Sequence, residues 1–127
     1  MFHFATSTYK KLFFIYITII VLLLVLPLNG TFRLSNVYFG FRSDHIVHCF
    51  IFAPFMVLCY LGRIATLPRI LIIYGFTFAS FCEFLHIFIP YRTASIFDLL
   101  ANYLGVTIGF LVFKLAQRFR LIPILDA

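Results

Sequence analysis

The amino-acid sequence predicts an all-α integral membrane protein, a bundle of four transmembrane helices with both termini in the cytoplasm. Two observations carry the fold class. The 127 residues are 64% hydrophobic and only 11% charged, with a mean hydropathy of +1.10, and long apolar runs alternate with short polar segments. A soluble domain of this size has too little interior to bury so much apolar surface. We therefore expect a single transmembrane domain over residues 1–127.

Four apolar runs have about the length that crosses the hydrocarbon of a bilayer. The predicted spans are residues 12–28, 44–61, 70–89 and 96–113. Within the second span, Pro54 removes one backbone hydrogen bond, which predicts a kink near Phe50. Ser95 and Asp98 have the spacing of a capping box, which predicts the start of the fourth span.

The basic residues predict the orientation. Lysine and arginine are enriched in the cytoplasmic segments of membrane proteins. A cytoplasmic N-terminus places seven of the ten basic residues inside: Lys10, Lys11, Arg63, Arg69, Lys114, Arg118 and Arg120. The three outside would be Arg33, Arg42 and Arg92. We therefore expect a multi-pass protein of the cytoplasmic membrane. Because the basic residues form no single patch, nucleic-acid binding is disfavoured.

In this topology the polar side chains of the spans fall at the outer end of the bundle. This set, called the polar layer below, comprises Asp44, His45, His48, Glu83, His86, Arg92, Asp98 and Asn102. Within each span its members stand three or four residues apart and share a helix face. No charged side chain lies between residues 49 and 60 or between residues 70 and 82. Because ionisable residues inside a membrane are costly, they indicate function by default.

The polar layer therefore predicts an outward-facing polar pocket, whose candidate binding residues are Asp44, His48, Glu83, His86, Arg92, Asp98 and Asn102. Structural alternatives remain open for several of them. Asp98 can serve only to cap its helix, and Glu83 with Arg92 can form an ion pair that holds the loop. A lone charged glutamate would cost roughly 2.5–3.5 kcal/mol in the span, so we expect Glu83 to be paired or protonated. His86 can be satisfied by a backbone carbonyl.

Two further patterns concern packing and metals. Gly105 and Gly109 form a GxxxG motif, which predicts the close approach of a neighbouring helix.

The histidines and carboxylates of the polar layer would offer three or four ligands to zinc. However, His45 and His48 followed by Glu83-x-x-His86 match no established metal signature. We therefore predict no metal and no other cofactor.

Three islands of sequence resemble the VanZ-like membrane proteins, the family of the teicoplanin-resistance protein VanZ. The islands, which cover roughly residues 43–110, are Asp44-x-x-x-His48, Glu83-x-x-His86 and Arg92-x-x-Ser95-x-x-Asp98-x-x-x-Asn102-x-x-Gly105-x-x-x-Gly109. His86 stands where the family usually has glutamine, and His45 where it commonly has lysine. The resemblance implies a few-helix membrane protein of the bacterial cell envelope. It also implies an expected role in tolerance of glycopeptide antibiotics.

Three functional hypotheses follow. In the first, the pocket binds the headgroup of a lipid-linked or cell-wall component, with Arg92 contacting its phosphate or carboxylate. In the second, the protein is a membrane-embedded hydrolase or transferase in which Glu83 or Asp98 is the general base and a histidine its partner. In the third, the protein is a small structural subunit of a membrane complex. The expected partners are membrane lipids, a lipid-linked envelope precursor or other membrane proteins.

Overall fold

The computed structural model describes residues 6–25, 37–38, 41–90 and 94–122. Its helices are α1 (Thr6–Val25), α2 (Ser43–Phe52), α3 (Phe55–Leu61), α4 (Pro68–His86) and α5 (Ile96–Arg118). A short antiparallel hairpin, β1 (Val37–Tyr38) and β2 (Phe41–Arg42), precedes α2, with Val37 opposite Arg42. Apart from this hairpin, the secondary structure of the described residues is helical.

Three helical segments are long and apolar enough to cross a membrane, namely Thr6–Leu23, Pro68–His86 and Ile96–Arg118. A shorter apolar stretch, His45–Leu61, comprises most of α2 and all of α3. It is interrupted at residues 53 and 54, because Pro54 has no N–H to donate to the carbonyl of Phe50. The predicted effect of Pro54 is therefore present, although it separates two helices rather than bending one.

The helix ends differ from the predicted spans by several residues. Helix α1 begins at Thr6 instead of residue 12, and α5 continues to Arg118 instead of residue 113. In both cases the helix extends past the apolar run into polar residues, which a hydropathy criterion omits. Helix α4 begins at Pro68, whose fixed φ suits the first helical turn and whose missing N–H would have no helical partner there.

Successive long elements run in opposite directions. Helix α1 is antiparallel to α2 and α3, since the rings of Phe13 and Phe55 pack edge to face at 5.6 Å and the hydroxyl of Tyr16 donates to the carbonyl of Ile51. Helix α4 is antiparallel to α5, since Ser80 contacts Tyr103 at 2.7 Å, whereas Glu83, later in α4, contacts Ser95 at the start of α5. The result is an up-down-up-down bundle in which α2 and α3 together form one broken element.

Helices α2 and α5 are parallel and approach each other at backbone distance. A Cβ atom at Gly105 would lie 2.2 Å from the carbonyl oxygen of Cys49, and one at Gly109 would lie 2.2 Å from that of Ala53. Only glycine leaves room for such contacts. The two glycines therefore set the depth of α2 relative to α5.

The bundle has a tightly packed interior and an apolar exterior. Met56, Cys59, Leu71, Val106 and Phe113 are completely buried and belong to one core cluster. Large apolar residues on the opposite face of α5 are exposed: Leu100, Leu104, Ile108, Leu111 and Leu115. A continuous apolar exterior is the surface that a bilayer covers.

The described lysine and arginine side chains lie at the end of the bundle opposite the polar layer and are exposed there. Two of them occupy the left-handed turn that closes a helix, Arg63 after α3 (φ 53°) and Arg120 after α5 (φ 55°). At α3 the amide of Ile64 donates to the carbonyl of Cys59 at 3.0 Å, which is the hydrogen bond of a Schellman turn.

Candidate functional site: a buried polar layer

The polar layer assembles where α2 begins, α4 ends and α5 begins. The structure describes six of its side chains: His45, His48, Glu83, His86, Asp98 and Asn102. Arg92 lies outside the described residues, and so does the side chain of Asp44. The antiparallel order of the bundle brings these helix ends to one level, as the following contacts demonstrate.

His48 connects α2 with α5. Its Nδ1 atom lies 2.9 Å from Oδ1 of Asn102. The neutral tautomer that is protonated at Nδ1 donates to this oxygen and leaves Nε2 as a hydrogen-bond acceptor. Asn102 is 1% exposed, so this contact is made almost entirely without water.

Glu83 connects α4 with the start of α5. Its Oε1 atom accepts a hydrogen bond of 2.6 Å from the backbone N–H of Ser95, and its Oε2 atom lies 3.4 Å from Nδ1 of His86. Glu83 and His86 are 7% and 2% exposed. The carboxylate thus accepts a hydrogen bond from the Ser95 amide through Oε1, whereas Oε2 lies near the His86 imidazole without accepting a hydrogen bond.

The predicted capping box at the start of α5 is not formed. Ser95 is the N-cap residue and has extended backbone angles, but its side chain makes no capping hydrogen bond. Oδ1 of Asp98 instead lies 3.3 Å from Nε2 of His45, across the α2–α5 interface. The spacing placed the start of the helix correctly, with Ser95 as the N-cap residue of α5, but it did not show that a carboxylate on another helix, Glu83, accepts the hydrogen bond of the Ser95 amide.

The contacts form a chain that links α5 with α4 and α2. It runs from Ser95, the N-cap residue of α5, to Glu83, then to His86 and His48, and returns to α5 at Asn102. The rings of His86 and His48 face each other edge-on, with centroids 6.4 Å apart. Within the described structure, Oε2 of Glu83, Oδ1 of Asp98 and Nδ2 of Asn102 are buried and have no hydrogen-bond partner. Buried polar atoms are nearly always partnered in proteins, so these atoms mark unused binding capacity.

The described part of the polar layer is a buried cluster with one more accessible edge. That edge is the pair His45 and Asp98, whose side chains are 17% and 16% exposed. An open surface cavity of about 520 Å³ lies at the other end of the bundle, against Ser7, Lys10 and Lys11 of α1. Among the described residues, no group of three or more histidine, cysteine, aspartate or glutamate side chains is arranged to hold a metal ion.

A comparison with protein families identifies the chain. The family model described as VanZ/LLP1 matches residues 13–117, a range that contains the polar layer and both glycines of the GxxxG motif. The chain belongs to the VanZ/LLP1 family. This membership confirms the resemblance found in the sequence and, with the three long apolar helices, makes the chain a membrane protein of the VanZ type. Searches of curated proteins and of solved structures found no match.

The two histidines at which the sequence was expected to depart from the family pattern each lie beside a carboxylate. His86 lies 3.4 Å from Glu83, and His45 lies 3.3 Å from Asp98. The sequence contained no direct signal for the second pair, His45 and Asp98. It did contain an indirect one, because two parallel helices with polar residues in their first turns bring those turns to one depth.

Proposed function

We propose that this VanZ/LLP1 protein binds the headgroup of a lipid-linked or cell-wall component at its polar layer, in the cytoplasmic membrane of a bacterial cell. In this proposal all four elements cross the bilayer, with α2 and α3 sharing one crossing, and both termini are cytoplasmic. The polar layer then lies in the outer leaflet, where such a component is presented.

The basic residues support this orientation. Lys10 on α1, Arg63 after α3 and Lys114 on α5 are all exposed at the end opposite the polar layer. An excess of such residues is typical of the cytoplasmic side. The His45–Leu61 stretch extends about 25 Å at roughly 1.5 Å per residue, close to the hydrocarbon thickness. It is also fixed against α5 through Gly105 and Gly109.

The single observation that carries the binding proposal is the unused hydrogen-bonding capacity in the layer. Oε2 of Glu83 and Nδ2 of Asn102 are buried without a partner. A purely structural cluster gains stability from satisfying such atoms internally. A site that receives a polar ligand keeps some of them open.

Native mass spectrometry of the protein in mild detergent tests the proposal. We expect the purified protein to retain an envelope lipid, and Arg92→Ala and Asn102→Ala to lose it while remaining folded. The matched control is Tyr103→Phe, which removes the hydrogen bond between Ser80 and Tyr103, also between α4 and α5 but outside the polar layer. Unchanged lipid retention in both layer variants would contradict binding. Lower thermal stability without a change in bound lipid would favour the structural-subunit hypothesis.

One observation favours a second candidate function, that of a membrane-embedded hydrolase or transferase. The layer contains two carboxylate–imidazole contacts, Glu83 with His86 and Asp98 with His45, and such pairs serve general acid–base catalysis. This candidate requires turnover of an envelope lipid that disappears in Glu83→Gln. It is abandoned if mass spectrometry of lipids incubated with the wild-type protein detects no product.

Family membership also connects the proposal with glycopeptide antibiotics, since VanZ is a teicoplanin-resistance protein. We extend the proposal to a role in tolerance of these drugs. The corresponding measurement is the inhibitory concentration of teicoplanin in a susceptible host that expresses the wild-type protein or Asn102→Ala. Equal values in both strains and in the empty host would contradict this extension.

A further inference from the structure

We infer that the group bound at Glu83 and Asn102, in the buried part of the polar layer, is a neutral hydroxyl of a sugar headgroup rather than the phosphate of the lipid. This inference rests on the proposed function and concerns which chemical group the buried part of the layer recognises. It follows from three properties of the described side chains: which atoms are open, what charge surrounds them, and how they are held.

The open atoms are of opposite kinds. Oε2 of Glu83 accepts hydrogen bonds, whereas Nδ2 of Asn102 donates them, and both are buried without a partner in the described structure. Hydroxyl groups suit both kinds of atom, because a hydroxyl donates its proton to a carboxylate and accepts from an amide. An ammonium group has no lone pair for Nδ2 of Asn102. A fully ionised phosphate ester has no proton for Oε2 of Glu83.

Among the described side chains, the charge around Glu83 and Asn102 disfavours an anion at these two residues. The six described side chains of the polar layer include two carboxylates, Glu83 and Asp98, and no lysine or arginine. A phosphate entering this buried environment would add a like charge beside Glu83, where little solvent is present to screen it. A neutral polyol adds hydrogen bonds without adding charge.

The open atoms are also held in place. Glu83 is fixed through Oε1 by the Ser95 amide at 2.6 Å, and Asn102 is fixed through Oδ1 by His48 at 2.9 Å. Each residue therefore uses one polar atom for anchoring and leaves the other available. Such preorganisation lets a site discriminate in favour of a hydroxyl, because a ligand that lacks it leaves buried polar atoms unpaired.

Native mass spectrometry with defined lipids tests the inference. The wild-type protein, in a detergent without hydroxyl groups, is mixed with equal amounts of dioleoyl glucosyl diacylglycerol, dioleoyl phosphatidic acid and dioleoyl phosphatidylcholine. We expect the bound glucosyl lipid to exceed each of the other two by at least about tenfold, the factor that corresponds to about 1.4 kcal/mol. The identical acyl chains remove hydrophobic differences from the comparison.

Isosteric variants connect the preference with the two open atoms. Glu83→Gln turns the open acceptor into a donor, and Asn102→Asp turns the open donor into an acceptor, with little change in shape. We expect both to lose the preference for the glucosyl lipid and Tyr103→Phe to keep it. Because the wild-type measurement stands by itself, the test does not depend on the folding of either variant.

The outcomes separate this inference from the proposed function. Preferential binding of phosphatidic acid that is lost in Glu83→Gln and Asn102→Asp would overturn the hydroxyl inference while supporting a headgroup site. Equal binding of all three lipids, unchanged in both variants, would overturn both, since the open atoms would then be occupied by water alone.

Discussion

Nδ1 of His48 lies 2.9 Å from Oδ1 of Asn102, and this is a direct hydrogen bond between side chains of α2 and α5. It lies next to the contact between Gly105 and the backbone of Cys49. The two helices are therefore joined at this point both by a close backbone contact and by a side-chain hydrogen bond. The rigidity of that interface explains how a half-buried histidine is held in one orientation.

A double-mutant cycle measures the His48–Asn102 bond. We expect His48→Ala and Asn102→Ala to destabilise the protein each by itself, with a coupling energy of about 0.6–1.7 kcal/mol between them. The measurement is unfolding in mixed detergent micelles at increasing fractions of a denaturing detergent. Strictly additive effects would show that the contact contributes no net energy.

The hydrogen bond from the Ser95 amide to Glu83 predicts that removing the side chain of the N-cap residue costs less stability than removing Glu83 on another helix. Ser95→Ala should change the unfolding free energy by less than about 0.5 kcal/mol, because the hydroxyl makes no capping bond. Glu83→Ala should cost about 1.5–3 kcal/mol, because it leaves the first amide of α5 without its charged acceptor. Glu83→Gln, which keeps an acceptor oxygen, is the matched control and should lie between the two. Equal losses for Ser95→Ala and Glu83→Ala would contradict the assignment.

The glycine contacts predict that adding a single methyl group at Gly105 strongly lowers the free energy of unfolding. A Cβ at Gly105 would lie 2.2 Å from a backbone oxygen, so Gly105→Ala must displace α2, and we expect a loss of roughly 2–3 kcal/mol. Leu104→Ala is the control, because Leu104 is adjacent on α5 but 55% exposed on the lipid-facing side. Comparable melting temperatures for the two variants would show that the helices separate without difficulty.

Cysteine labelling tests the orientation. Ser7 and Ala94 are exposed at opposite ends of the bundle, whereas the natural Cys59 and Cys82 are buried. In intact cells an impermeant maleimide should label Ala94→Cys, and it should reach Ser7→Cys only after permeabilisation. The wild-type protein provides the background for Cys49. The reverse pattern would place the polar layer in the inner leaflet.

Sequence reasoning reached the general arrangement because it depends on local and periodic features. A proline in the interior of a helix, such as Pro54, removes a backbone hydrogen bond whatever its surroundings. Apolar runs of membrane length form helices in lipid. The order of four alternating elements then brings the start of α2, the end of α4 and the start of α5 to one side. Six described side chains of the polar layer meet there for that reason.

The side-chain pairings within the polar layer could not be predicted from the sequence, because they depend on how each helix is rotated and how far it is shifted along its neighbours. Whether Asp98 contacts Ser95 or His45 depends on the rotamer of its side chain and on which face of α5 is turned toward α2. The GxxxG motif indicated a close approach, but it did not show that α2 was the neighbour. Gly105 contacts a backbone carbonyl, and a pattern of side chains along the sequence does not predict which backbone carbonyl a glycine will contact.

The hydrogen bond between Glu83 and the Ser95 amide also bears on how the chain enters the membrane during synthesis. Helix α2 leaves the ribosome before α4, which carries a carboxylate near its end. If α4 were inserted alone, a charged Glu83 would face lipid at a cost of about 2.5–3.5 kcal/mol. Joint insertion of α4 and α5 as a hairpin supplies the Ser95 amide at once. We therefore expect the last two helices to enter the membrane as a pair, after which α5 packs against α2 and its histidines.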